Sequence, residues 1–158
     1  MYLFMIACYF LMAINVISLA LYCLMGYFRF YFLGANYYEF ALFAMIVFIF
    51  TETLVMYFFI ATSKSLKVML EGIIENNIYW KKISTVKTSA YSQVMMTILV
   101  FGGAFLHGGA VDNNMSIALL HSPLCLLAFV HHIYTITSKN NLFKQQVEIA
   151  EIIIKLKS

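Results

Sequence analysis

Four stretches of the chain are nearly continuous runs of apolar residues, and each reaches or approaches the roughly 20 residues that a helix needs to cross ~30 Å of hydrocarbon. They run from Tyr2 to Leu24, Glu39 to Thr62, Tyr91 to His107 and Ser116 to Thr137. These runs lack the alternation of membrane β-strands and are too long for them, so the pattern predicts four transmembrane helices rather than a barrel. Two short connections, one carrying Gly34 and Asn36 and the other running from Gly108 to Asn114, require tight turns. The connection at residues 63–90 is long and polar, and a second polar stretch follows Ser138.

Both polar stretches carry a helical rhythm of their own. Leu66, Met69, Ile73 and Ile74 recur among lysines and glutamates, which predicts that the second span continues as an amphipathic helix and stops at Asn76-Asn77. Trp80 beside Lys81 and Lys82 reads as an interfacial anchor, an aromatic ring at headgroup level with cations able to reach phosphates. After Ser138, a candidate cap, Leu142, Val147, Ile149, Ile153 and Leu156 predict a second amphipathic helix that lies on the membrane or pairs with a partner. The expected organisation is therefore all-α: a polytopic four-helix bundle over residues 1–138 and a cytoplasmic amphipathic helix over 139–158.

Composition supports a lipid setting. Of the 158 residues 63% are apolar and 11% charged, against roughly 45–50% and about 25% for soluble domains. A chain of this size has no core large enough to hide such runs from water. Nine of the ten basic residues lie in the 63–90 connection and the tail, and positive charge accumulates on the cytoplasmic side. Both termini are accordingly expected inside, with Arg29, Glu39 and Asp112 towards the outer face. No basic segment precedes the first run and Ala7-Cys8-Tyr9 is a poor cleavage site, so that run is expected to remain as a span. A bacterial inner (plasma) membrane is the simplest setting.

Chemistry enters through the polar residues inside the spans. Asn15 and Ser18 share a face of the first, Glu52 interrupts the second, and Gln93, Thr97 and His107 follow one stripe of the third. His121 and His132 share a face of the fourth, because eleven residues make almost three whole turns. Counting from the predicted inner boundaries puts His107 and His121 at one height in the outer half, Asn15 and Ser18 near that level, and Glu52 a turn or two deeper. The expectation is a buried polar layer.

Three readings of that layer follow. A histidine pair across two helices can ligate haem b, with His107 and His121 as cofactor-binding residues, and Glu52 with the same histidines makes a donor set for a divalent metal ion. A desolvated glutamate among histidines can instead move protons in a small proton-linked transporter. The plain alternative is packing, with Glu52 hydrogen-bonded to Thr97, Asn15 or a histidine as glue between helices. Gly102-Gly103 and Gly108-Gly109 are expected to permit close helix approach. Cys8, Cys23 and Cys125 all fall in spans without a CxxC pair and read as packing residues, and no phosphate loop, serine elbow, HExxH motif or nucleic-acid surface is present. An accessory or structural subunit of a membrane complex, partnered by lipids and by copies of itself or other subunits, is the leading expectation, with no catalytic residue assigned. The haem or metal subunit and the proton-linked transporter are the alternatives.

Overall fold

A computed structural model describes residues 2–28, 30–74, 76–112 and 115–157, with side chains described throughout these except at 109–112 and 118. Arg29 and the side chain of Asp112, both expected towards the outer face, and Asn114, the end of the second short connection, lie outside this description. The described residues form four long helices: α1 (Tyr2–Phe28), α2 (Tyr37–Met69), α3 (Asn76–Asp112) and α4 (His121–Lys157), with a 3-10 turn at Ser116–Leu120 leading into the last. Three of them, α1, α2 and the Asn76–Gly108 part of α3, are long and apolar enough to cross a membrane.

Each helix boundary has a local cause. The α1–α2 connection is a tight turn in which Phe32 and Ala35 exchange backbone hydrogen bonds of 3.1 and 3.0 Å around Leu33 and Gly34, both at positive φ. Asn36 then caps α2: its side chain accepts from the amides of Tyr38 and Glu39, and the Glu39 carboxylate accepts from the Asn36 amide at 2.8 Å. At its far end α2 stops at Met69, and Gly72 turns the chain at φ 90°. The Asn76-Asn77 pair, expected to stop that helix, opens α3 instead. Gly108 does not end α3 either, since the helix continues to Asp112. Pro123 sits in the first turn of α4, which opens at His121, and there its missing N–H removes no helical bond.

The helices run alternately up and down. Tyr2, Tyr9 and Asn15 of α1 meet Glu151, Asn140 and His132 of α4 in reverse order, whereas Glu52 and Thr62 of α2 meet Lys139 and Gln146 of α4 in the same order. Interior positions follow steps of four and three. In α4 the stripe Ala128, His132, Thr135, Lys139, Leu142, Gln146, Ile149 and Ile153 is buried throughout. The stripe passes residue 138 without interruption, so residues 139–157 are the second half of one helix packed against α1, α2 and α3. They are not a separate surface element.

Two apolar clusters result. One joins Cys8, Phe58, Phe59, Ile83, Val94 and Phe143; the other joins Leu19, Met25, Phe48, Phe101, Ala104 and Ala128, and all four helices contribute to both. Outward positions of α1, α2 and the residue 124–134 part of α4 are also apolar, among them Leu3, Phe10, Ile46, Phe50, Leu127 and Val130. The glycines expected to bring helices together divide: a side chain built at Gly102 or Gly103 would meet nothing within 4 Å, but one at Gly108 would touch the His121 ring at 3.4 Å.

Candidate functional site

Between the two apolar clusters lies a layer of buried polar side chains: Asn15, Ser18, Thr51, Glu52, Thr97, His132, Thr135 and Lys139. Its centre is an ion pair. Lys139 Nζ donates to both carboxylate oxygens of Glu52, at 2.5 and 2.6 Å, and both residues are fully buried. The carboxylate that looked like a metal ligand therefore has a cation of its own, brought from the middle of α4. Thr97 does not bind Glu52; its hydroxyl donates to the Gln93 carbonyl of its own helix at 2.7 Å, and Thr51 bonds Val47 in the same way.

One level outward, Asn15 Nδ2 lies 3.2 Å from His132 Nε2, and the imidazole sits edge-on to Phe48 and Phe101 at centroid distances of 5.8 and 5.4 Å. Asn15 Oδ1 and His132 Nδ1 have no hydrogen-bond partner among the described residues. Below the ion pair, Gln93 donates to Ser138 at 2.5 Å, and Gln146 donates to Thr62 at 3.2 Å. Polar groups thus form a file along the interior, interrupted by aromatic rings.

The predicted histidine pair stands elsewhere. His107 and His121 are stacked with centroids 6.3 Å apart and planes at 19°. His107 Nε2 bonds the Ile117 carbonyl at 2.8 Å, and His121 Nε2 lies 3.0 Å from the Tyr37 hydroxyl and 3.5 Å from Cys125 Sγ. Tyr37 stacks on Tyr22 and donates to its hydroxyl at 2.9 Å, which completes an outer cluster of two histidines, two tyrosines and a thiol.

His121 and Lys139 are eighteen residues apart on one straight helix, about 27 Å at ~1.5 Å per residue. Glu52 is therefore not brought to His107 and His121, and among the described residues no three of His, Cys, Asp or Glu converge on one point. The expected single layer is resolved into two: the histidine pair where the end of α3 meets the start of α4, and Asn15, Ser18, Thr97 and Glu52 near mid-height. Sequence reasoning missed Lys139, which it assigned to the charged tail, and put His132 on the face of His121 without giving it a part in the layer. The signal was the four-three stripe of α4, which links His121, His132 and Lys139 in one line. The chain matches no protein-family model, no curated protein and no solved structure.

Proposed function

We propose that the chain is a small integral membrane protein that crosses the lipid four times, keeps both termini in the cytoplasm and acts as an accessory or structural subunit of a membrane complex. The observation that carries this reading is the Glu52–Lys139 pair. It occupies both carboxylate oxygens, ties α2 to α4, and leaves the most chemically capable interior residue engaged in holding the fold. Apolar outward positions at Leu124, Leu127, Val130, Ile133 and Tyr134, with His132 and Thr135 turned inward beside them, support α4 as the fourth span. The described residues lie almost wholly in long helices with apolar outward faces, which supports lipid, further copies of the chain or other membrane subunits as partners. A bacterial inner membrane remains the simplest location.

The second reading is a proton-linked pathway, favoured by the file of polar groups and by the unpartnered atoms of Asn15, His132 and Gln146 within it. For the haem or metal reading the favourable observation is the stacked pair of His107 and His121.

One preparation separates these readings. The chain is extracted from its own membrane in mild detergent, its native mass is measured, and its absorption spectrum and metal content are recorded beside His107→Ala and His121→Ala. A stable assembly larger than one chain, without stoichiometric haem or metal, is the expected result. A lone chain carrying haem or metal that both variants lose would replace the subunit reading by the cofactor reading. A lone, colourless chain that acidifies liposomes until Glu52 is changed to Gln would replace it by the proton pathway.

A further inference from the structure

A cleft of about 490 Å³ opens between α2 and α3, away from the polar file and the histidine pair. It falls within the ~300–1,000 Å³ typical of ligand pockets. Its walls change character along its length. Phe59 and Ile60 of α2 and the small Ala90 of α3 line the end nearer mid-helix, and Lys64, Lys67, Lys87 and Trp80 surround the other end. The two helices are antiparallel here, so the eleven helical steps from Met56 to Lys67 and from Tyr91 back to Trp80 cover one depth of about 17 Å.

The cations converge. Lys67 Nζ lies 5.0 Å from the centre of the Trp80 ring and Lys87 Nζ 5.8 Å from it. Among the described residues the only salt bridge is Lys139 with Glu52, and no described carboxylate pairs with Lys64, Lys67 or Lys87. Lysines gathered without counter-ions repel one another, and an anion between them relieves that repulsion. An anion alone would leave the apolar half of the cleft unfilled. A hydrocarbon chain alone would leave the cations unmatched.

We propose that this cleft is a specific site for one anionic phospholipid, with its phosphate among Lys64, Lys67 and Lys87, its glycerol region against Trp80 and one acyl chain along Phe59 and Ile60. The inference rests on the reading of the chain as membrane-spanning with the 63–90 connection inside, because only then does the charged end of the cleft meet the headgroups of the cytoplasmic leaflet. A cationic pocket between spans on that side matches the chemistry by which such headgroups are recognised.

Trp80 is the only tryptophan in the chain, so selectively excited tryptophan fluorescence reports on this cleft alone. The full chain is reconstituted in phosphatidylcholine vesicles containing either phosphatidylglycerol or phosphatidylcholine with acyl chains brominated near the headgroup, which quench tryptophan on contact. Insertion is checked first by resistance to alkaline carbonate extraction, and failure there overturns the membrane reading itself. For the inserted protein the expected result is a preference of about fivefold or more for brominated phosphatidylglycerol, roughly the worth of one lysine beside an anionic headgroup. The preference should vanish in the K64Q/K67Q/K87Q variant and persist in K144Q/K157Q, which changes lysines of α4 that do not line the cleft. Equal quenching by both lipids, or a preference that survives the triple substitution, would overturn the proposal. Loss of the preference on adding millimolar inorganic phosphate at constant ionic strength would also overturn it, by identifying a site for the free ion.

Discussion

Lys139 reaches across from α4 to place its ammonium 2.5 Å and 2.6 Å from the two oxygens of the Glu52 carboxylate, with both side chains sealed from the surface. A buried ion pair gains little over an apolar pair of the same shape, but removing one partner strands a charge. Glu52→Gln and Lys139→Met are each expected to cost about 3–5 kcal/mol. The double variant Glu52→Leu/Lys139→Met should lie closer to wild type than either single change. Unfolding in mixed micelles titrated with sodium dodecyl sulfate measures all of these. A Glu52→Gln protein as stable as wild type would show that the pair does not hold α2 to α4.

Phe143 lies four residues past Lys139 and packs against Phe58 and Phe59 at centroid distances of 4.9 and 5.0 Å. Were residues 139–157 a helix resting on the membrane, truncating this ring would alter binding and leave the fold alone. Because Phe143 is fully buried in the inner apolar cluster, Phe143→Ala is expected to destabilise the whole chain by about 3–5 kcal/mol. The same micelle unfolding assay reads this, and a change below about 1 kcal/mol would return that segment to the surface.

How far the sequence disclosed this arrangement depends on what kind of signal each feature left. The three strongest spans were plain from their apolar runs, since lipid requires long stretches of unbroken hydrophobicity. The polar layer was also legible through Asn15, Ser18, Glu52 and Thr97, because polar residues in spans are costly and turn inwards. Lys139 was misread because a lysine after an apolar run has two physical explanations, the cytoplasmic boundary and an interior counter-charge, and composition favours the first. Its place on the four-three stripe with His132 and Gln146 distinguishes them. That His107 and His121 stand at one height was legible, but their distance from Glu52 was not, because the count began from boundaries at Ala90 and Ser138, both of which lie inside continuous helices. Helix length beyond the membrane leaves almost no trace in hydropathy.

Asn15 and His132 give a smaller test of the same layer. Their hydrogen bond joins α1 to α4, and bonds between membrane helices are worth on average about 0.6 kcal/mol and at most about 1.7. A double-mutant cycle over Asn15→Ala and His132→Ala should therefore return a coupling in that range. Either single change will cost more than the coupling, since both side chains are fully buried and their loss leaves space beside Phe48 and Phe101. A coupling of zero would mean that the two residues do not interact.

Two glycines make opposite demands. A methyl group at Gly26 would lie 2.9 Å from the ring of Tyr37, which is held by its bonds to Tyr22 and His121, whereas one at Gly102 would meet nothing within 4 Å. Gly26→Ala is expected to destabilise by about 1–3 kcal/mol through overpacking. Gly102→Ala is expected to stabilise the isolated chain by roughly 0.5–1 kcal/mol, the gain of replacing glycine within a helix. Thermal unfolding of the purified chain in one detergent compares the pair directly. A reversed order would place a tight contact at Gly102 and space at Gly26.

The fourth crossing is open to a test of sidedness, because α4 starts beside the outer end of α3 whichever route it then takes. In a chain with Cys8, Cys23 and Cys125 replaced by Ala, single cysteines are introduced at Tyr31, Asn77 and Lys144, all exposed in the structure. If α4 crosses, Asn77→Cys and Lys144→Cys will react with a membrane-impermeant maleimide only from the cytoplasmic side, and Tyr31→Cys only from the opposite side. The helix pairings make the same demand, since Lys139 meets Glu52 in mid-helix and Glu151 meets Tyr2 at the start of α1. Labelling of Lys144→Cys on the side of Tyr31→Cys would leave α4 outside the lipid, and those pairings could not form within one membrane-embedded fold.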